Sequence, residues 1–191
     1  MQTIFLTGLI GSGKSAVSAL LRERGIPVYD SDARTKTLYE CNPRLVEALE
    51  QTLDVPLRTP EGKLDCRALA ARIFSSPEAR EKVEALVYPA VLEDFKHWRA
   101  EQHAPYVVLE SAVILSKPIF DGLADKVVLV TAPRALRLQR VMDRDGLSEE
   151  DVVRRMDAQE LPESAIDTVI CNDGSLEQLR TAAQQVFFPK K

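Results

Sequence analysis

The run Gly8-Leu9-Ile10-Gly11-Ser12-Gly13-Lys14-Ser15 constrains the fold more than any other part of this chain. It satisfies Gly-x-x-x-x-Gly-Lys-[Ser/Thr] in full, a pattern that chance supplies in roughly one per cent or fewer of chains this long. Its chemistry demands a fixed context. The glycines let the backbone wrap with its N–H groups pointing inward, and the following helix adds the partial positive charge of its N-terminus. A buried strand must therefore precede the loop and a helix must follow it. Both signals are present. Thr3 to Thr7 is a short apolar run ending at Gly8, and Val17, Leu20 and Leu21 share one helical face after Lys14. Gly25 then fits a helix stop, and Pro27 to Asp30 reads as a second strand.

Further along, Tyr106 to Leu109 ending at Glu110, Lys126 to Thr131, and Thr168 to Cys171 read as three more strands. Five short apolar runs separated by helices predict an α/β fold of the P-loop NTPase type: a five-stranded parallel sheet flanked by helices. Between the second and third runs the pattern is charged and helical. Arg44 to Leu53 is amphipathic, Pro60 to Lys63 marks a turn, and Ser76-Pro77 resembles a helix cap followed by proline at the first position. Arg134 to Gln159 is an arginine-rich helical stretch, and Leu176 to Phe187 closes the chain as a helix. The expected organisation is a nucleotide-binding core from 1–32, 104–133 and 162–191, a helical insertion over 33–103, and a small lid over 134–161.

Composition narrows the partners. A formal net charge of −4 argues against general nucleic-acid binding, because that role needs a basic excess. Cys41, Cys66 and Cys171 are scattered with no Cys-x-x-Cys pair, which suits free thiols in a reducing compartment. The glycine-broken N-terminus suits neither a signal peptide nor a membrane span. A cytoplasmic protein working as a monomer or weak homo-oligomer is expected.

The loop implies a nucleoside triphosphate with its magnesium ion, ATP and Mg²⁺ being the expected pair. Lys14 reaches the β- and γ-phosphates and the Ser15 hydroxyl is the expected metal ligand. Gly8, Ile10, Gly11, Ser12, Gly13, Lys14, Ser15 and Ala16 are the candidate nucleotide-binding residues. A switch GTPase needs an Asn-Lys-x-Asp base reader, which is absent. A large ATPase needs a hydrophobic strand ending in Asp for magnesium, and Glu110 fits that scheme poorly. Arg134, Arg137, Arg140 and Arg144 recur at three, three and four, which places them on one helical face. The bland alternative is a solvated basic face. Near a phosphate loop, a guanidinium set that stabilises phosphoryl transfer is the better reading. Asp30 and Asp32 follow the second strand and are candidates to accept a proton from an attacking hydroxyl; as helix caps they would need no such role. A small-molecule kinase is expected. Another small-molecule or nucleoside monophosphate kinase, or a nucleotide-sensing protein without acceptor chemistry, remains open at this point.

Several segments together resemble dephospho-CoA kinase: Thr7-Gly8 through Lys14-Ser15, Gly25 to Asp32, Glu61-Gly62-Lys63-Leu64-Asp65, Ile73 to Glu78, Arg144 to Ser148, Arg155 with Gln159, and Asn172-Asp173-Gly174. The resemblance implies that ATP phosphorylates the ribose 3′-hydroxyl of dephospho-CoA to give coenzyme A. It implies Asp32 as base, with Lys14, Arg140 and Arg144 in catalysis, Arg140 and Arg144 on the ATP phosphates, and the Asn172 region against adenine. The insertion would carry the acceptor site, with Asp32, Lys36 and Tyr88 binding substrate. Three positions depart from the family pattern: Tyr88-Pro89 where His-Pro is usual, Ser116 after Val113-Ile114-Leu115 where a glutamate is common, and Cys66 before Arg67 where a basic residue often follows Leu-Asp. A tyrosine donates a hydrogen bond but does not become cationic near neutral pH.

Overall fold

A computed structural model describes residues 1–113, 117–159 and 166–189. The chain divides into two compact units, one of Met1–Asp30 with Gln102–Lys191 and one of Ser31–Glu101. The division falls between Asp30 and Ser31, so Asp32 belongs to the helical unit rather than to the end of the core segment over 1–32.

The first unit is built on five parallel strands: β1 (Gln2–Thr7), β2 (Val28–Asp30), β3 (Tyr106–Glu110), β4 (Lys126–Thr131) and β5 (Thr168–Cys171). Their order is β2-β3-β1-β4-β5. All five fall where the apolar runs predict them. β1 is central, and residues Thr3 to Thr7 are all buried, as a parallel strand covered on both faces requires. The chain leaves β1 toward one side of the sheet for β2 and β3 and crosses to the other side for β4 and β5. The phosphate loop therefore opens at the point where the winding reverses, which is where α/β sheets bind ligands.

Helix α1 (Lys14–Glu23) turns Val17, Leu20 and Leu21 onto this sheet. Leu179, Ala183 and Phe187 of the last helix, Leu176–Phe187, join the same core with Ile4, Leu6, Val128 and Ile170. That last helix starts with a reciprocal cap: Ser175 Oγ accepts from Gln178 N–H while the Gln178 side chain accepts from Ser175 N–H. The arginine-rich stretch forms two helices, Arg134–Asp145 and Glu149–Asp157, separated at Gly146. They share a small core of their own, Val141, Val152 and Met156, against which Ile10 of the phosphate loop also packs.

The second unit is helical: α2 (Ser31–Cys41), α3 (Pro43–Leu53), α4 (Cys66–Ser75) and α5 (Pro77–Ala100). In chain order the later helices are α6 (Arg134–Asp145), α7 (Glu149–Asp157) and α8 (Leu176–Phe187). Along α5, Ala79, Val83, Val87, Val91 and Phe95 are buried at a spacing of four, and Leu45, Val46, Leu49 and Leu53 form the matching stripe on α3. Ser76 caps α5 and Pro77 opens it, as the sequence predicts. The turn around Pro60 to Lys63 is closed by Thr59 N–H donating to Lys63 O at 2.7 Å. Among the described residues no helix is long and apolar enough to cross a membrane, and Cys41, Cys66 and Cys171 are free and exposed.

Candidate active site

In the first unit the loop leaves β1 at Thr7 and feeds α1 at Lys14. Gly13 lies at the left-handed φ of 101°, and a Cβ there would sit 2.2 Å from Asn172 Nδ2. A Cβ on Gly11, at φ 77°, would sit 2.6 Å from the backbone oxygen of Arg137. The left-handed backbone and the neighbouring protein atoms thus require glycine at these two positions. Lys14 Nζ donates to Gly8 O at 2.6 Å and closes the loop on itself. The amide of Ser12 donates to Leu9 O, that of Ala16 to Gly13 O, and that of Ile10 to the Gln159 side chain. The amides of Lys14 and Ser15 stand at the start of α1.

Glu110 gains partners here that the sequence reading does not give it. The β1–β3 register sets it beside Leu6, and its carboxylate accepts from Ser15 Oγ at 3.3 Å and from Ser18 Oγ at 2.5 Å. The residue that fits the magnesium scheme poorly as a letter in the sequence is the carboxylate touching the candidate metal ligand. Asp30 pairs with it across β2–β3. Glu110 is 7% exposed, and burial is the main reason its carboxyl titrates above its usual value. The Ser18 hydrogen bond works the other way, Asp30 adds to the rise, and Lys14 and Arg22 oppose it. A raised folded-state pKa means that the fold holds this proton more tightly than the unfolded chain. The contribution to stability is present below the unfolded carboxyl value and is lost as pH rises through the folded one. Near pH 7 the buried carboxylate is a cost. In metal-free protein, Glu110→Gln is therefore expected to gain in Tm relative to the parent as pH rises above the ordinary carboxyl range, while ATP turnover falls. A Tm difference that stays constant over that rise would show that Glu110 carries no such cost.

The four arginines of α6 part company. Arg137 is buried, its Nε donating to Ala132 O at 3.1 Å and its Nη1 to Ile10 O at 3.5 Å. It supports the loop from behind and does not belong to an open cationic face. Burial also lowers its pKa, with Arg134 adding to the effect. Arg134 pairs with Asp157 at 2.8 Å. Arg140 donates to Asn172 O at 3.1 Å and to Asn172 Oδ1 at 3.4 Å. Arg144, in the last turn, is exposed and pairs with its neighbour Asp145 at 2.7 Å. Asn172 is itself buried, and its Nδ2 donates to Ser12 O at 2.8 Å.

In the helical unit, Asp32 is exposed in the first turn of α2, where the helix dipole favours a carboxylate. Arg34, two residues on, makes a two-pronged ion pair with Asp94 of α5 at 2.9 and 2.6 Å, which fixes α2 on α5. Tyr88 follows Arg80 and Glu84 at a spacing of four on α5, and Arg80 Nε donates to Glu84 at 3.1 Å. Burial first, then the charge and hydrogen bond of Glu84, push the Tyr88 hydroxyl far above its ordinary value, and the charge of Asp32 adds to the rise. Asp32 and Tyr88 therefore share one electrostatic neighbourhood. Lys36, one turn after Asp32 on α2, lines a cavity of about 360 Å³ with Tyr39, Arg58, Lys63 and Cys66. Burial, with the charge of Cys66 adding, raises Tyr39 to about 12. Of the three departures, Tyr88 and Cys66 are placed on these features. Ser116, with Ile114 and Leu115, lies outside the described residues.

Residues 2–178 match the family model described as dephospho-CoA kinase. The chain belongs to the dephospho-CoA kinase family. Members of that family are ATP-dependent kinases. The chain is 43% identical over 164 residues to the dephospho-CoA kinase of Porphyromonas gingivalis, covering 86% of this chain and 80% of that one. Among solved structures, it is similar to TT1252 from Thermus thermophilus, with 39% identity, a TM-score of 0.82 and coverage of 97% and 95%. It is also similar to the dephospho-CoA kinase from Campylobacter jejuni, with 26% identity, a TM-score of 0.67 and coverage of 97% and 96%. The sheet, the loop and the family agree on a P-loop kinase.

Proposed function

We propose that this chain transfers the γ-phosphoryl group of ATP to the ribose 3′-hydroxyl of dephospho-CoA, giving coenzyme A and ADP. The observation that carries the donor half is the loop itself: a Lys14 side chain folded over Gly8, helix-start amides at Lys14 and Ser15, and Ser15 against Glu110. The amides of Gly11, Gly13, Lys14 and Ser15 cradle the phosphates, with Gly8, Ile10, Ser12 and Ala16 setting the loop's path. A hydroxyl and a carboxylate are hard oxygen donors and suit Mg²⁺, which keeps water and phosphate oxygens as its other ligands. Ser15 would hold that ion, with Glu110 orienting the Ser15 hydroxyl; when bound it neutralises charge developing on the β- and γ-phosphate oxygens. Arg140 and Arg144 contact the phosphates from α6, the segment 134–161 acting as a lid that excludes water. Asn172 braces the loop where adenine lies.

Asp32 accepts the proton of the attacking hydroxyl. Its helical unit carries the acceptor: Tyr88 donates to it beside Asp32, and Lys36 offers a cation on the cavity shared with Arg58 and Lys63. Those side chains suit the diphosphate of dephospho-CoA, and the apolar lining of Val46 and Leu64 suits its pantetheine arm. The lining also carries Glu40, and Arg58 pairs with Glu50 at 3.0 Å, so Lys36 and Lys63 are the cations offered to the diphosphate. The enzyme is proposed to act in the cytoplasm as a monomer or weak homo-oligomer. ADP release from ATP and magnesium is expected to rise with dephospho-CoA and not with AMP, CMP or shikimate. Equal stimulation by a nucleoside monophosphate would overturn the acceptor assignment and leave the donor site standing.

A further inference from the structure

Ile10 occupies one of the four variable positions of the phosphate loop, yet the protein holds it at every point. Its N–H donates to Gln159 Oε1 at 2.7 Å, across 149 positions of sequence. Its carbonyl accepts from Arg137 Nη1 at 3.5 Å. Its side chain packs on the small core of Val141, Val152 and Met156 that joins α6 to α7. Gly11, the next residue, leaves no room for a Cβ against Arg137. Amide, carbonyl and side chain of one loop residue are thus all engaged by the α6–α7 pair and by Gln159, two residues past the end of α7. Nothing in the Gly-x-x-x-x-Gly-Lys-[Ser/Thr] pattern asks for this, because that position only has to let the backbone pass.

The geometry points to Gln159 as a positioning residue that, through Ile10, registers the α6–α7 pair to the phosphate loop. The same α6 carries Arg140 and Arg144. Fixing the helix pair on Ile10 fixes the distance between those guanidinium groups and the amides of the loop, so that donor phosphates meet both sets at once. The side-chain carbonyl of Gln159 does the holding by a single directional bond, and the packing of Ile10 supplies the non-directional part. This inference rests on the reading of α6 as the phosphate-facing arginine helix. When the registration slackens, water is less well excluded and replaces the acceptor hydroxyl in attack on the γ-phosphorus, giving ADP and inorganic phosphate from ATP and water.

Gln159→Met keeps the length and volume of the side chain and removes the acceptor. In the full-length protein with ATP and magnesium, this variant is expected to lower kcat for transfer to dephospho-CoA by about tenfold, the loss of one well-placed hydrogen bond. The KM for dephospho-CoA should stay within about twofold, and the share of ADP released with inorganic phosphate should rise several-fold. A residue with only a structural role would lower Tm and leave that partition where it was; an unchanged partition overturns the inference. Ile10→Ala provides the second arm. If Ile10 and Gln159 act as one joint, the double variant is no worse than the poorer single, whereas multiplicative losses overturn it. Amide hydrogen exchange at Ile10, followed without acceptor, should accelerate in Gln159→Met. That readout is independent of which acceptor the enzyme uses. Faster exchange at Ile10 together with no response to dephospho-CoA in the parent would therefore indict the acceptor assignment alone, and unchanged exchange would overturn the joint.

Discussion

Lys14→Ala is expected to reduce phosphoryl transfer by about 10³-fold or more, while the protein stays folded. The magnitude follows from removing a preorganised positive group from charge that grows in the transition state, where one lost donor costs about 10²- to 10³-fold. Lys14 adds a full charge and also ties the loop shut through Gly8 O. Far-UV dichroism and Tm should stay close to the parent, because Lys14 is partly exposed at the first position of α1 and the core beneath it is made by Val17, Leu20 and Leu21. Single-turnover transfer from radiolabelled ATP gives the rate. A rate within tenfold of the parent would remove Lys14 from the phosphate site.

Asp32→Asn should behave differently. Loss of a general base costs about 10²- to 10⁴-fold in kcat, with the KM for ATP little changed because the donor contacts are untouched. The effect on the fold is small by comparison. Asp32 is exposed in the first turn of α2, where a carboxylate contributes at most about 1 kcal/mol through the helix dipole. Asparagine keeps one side-chain oxygen, puts an amide nitrogen in place of the other, and removes the charge at nearly the same volume. A stability change of that size cannot account for a hundredfold loss of turnover, so a large fall in kcat with Tm nearly unchanged would assign the loss to chemistry. Near-normal turnover would mean that Asp32 is held there only for the helix start.

Much of this is legible in the amino-acid sequence itself. The strand runs are contiguous and apolar, so β1 to β5 can be read directly, and the cap at Ser76 and the stop at Gly25 are local signals; the break at Gly146 inside the arginine-rich stretch is not read there. The loop carries its function in its own letters. The rest depends on contacts that no local pattern encodes. Glu110 acquires its partners from the parallel register that sets it beside Leu6 and from the Ser18 face of α1. Its only sequence signal is an acid at the carboxyl end of a strand next to the loop, and the expectation of an Asp at that place hides it. The four arginines of α6 look equivalent at a three- or four-residue spacing, yet Arg137 turns toward Ala132 O and Ile10 O. Periodicity gives the side of a helix and not the depth of each side chain. Gln159 is separated from Ile10 by most of the chain, and only its place in the family resemblance marks it.

The glycines of the loop carry one more consequence. Gly11 is pressed against the backbone of α6 and Gly13 against Asn172 at the end of β5, so each is small because of elements far away in sequence. The eight-residue motif is therefore not a portable cassette. Grafted between another strand and helix, it would keep its letters and lose the walls that give it shape. Removing a wall would not by itself admit a larger residue, because both glycines also sit at left-handed φ. The unit of inheritance for this binding site is the loop together with its two distant walls.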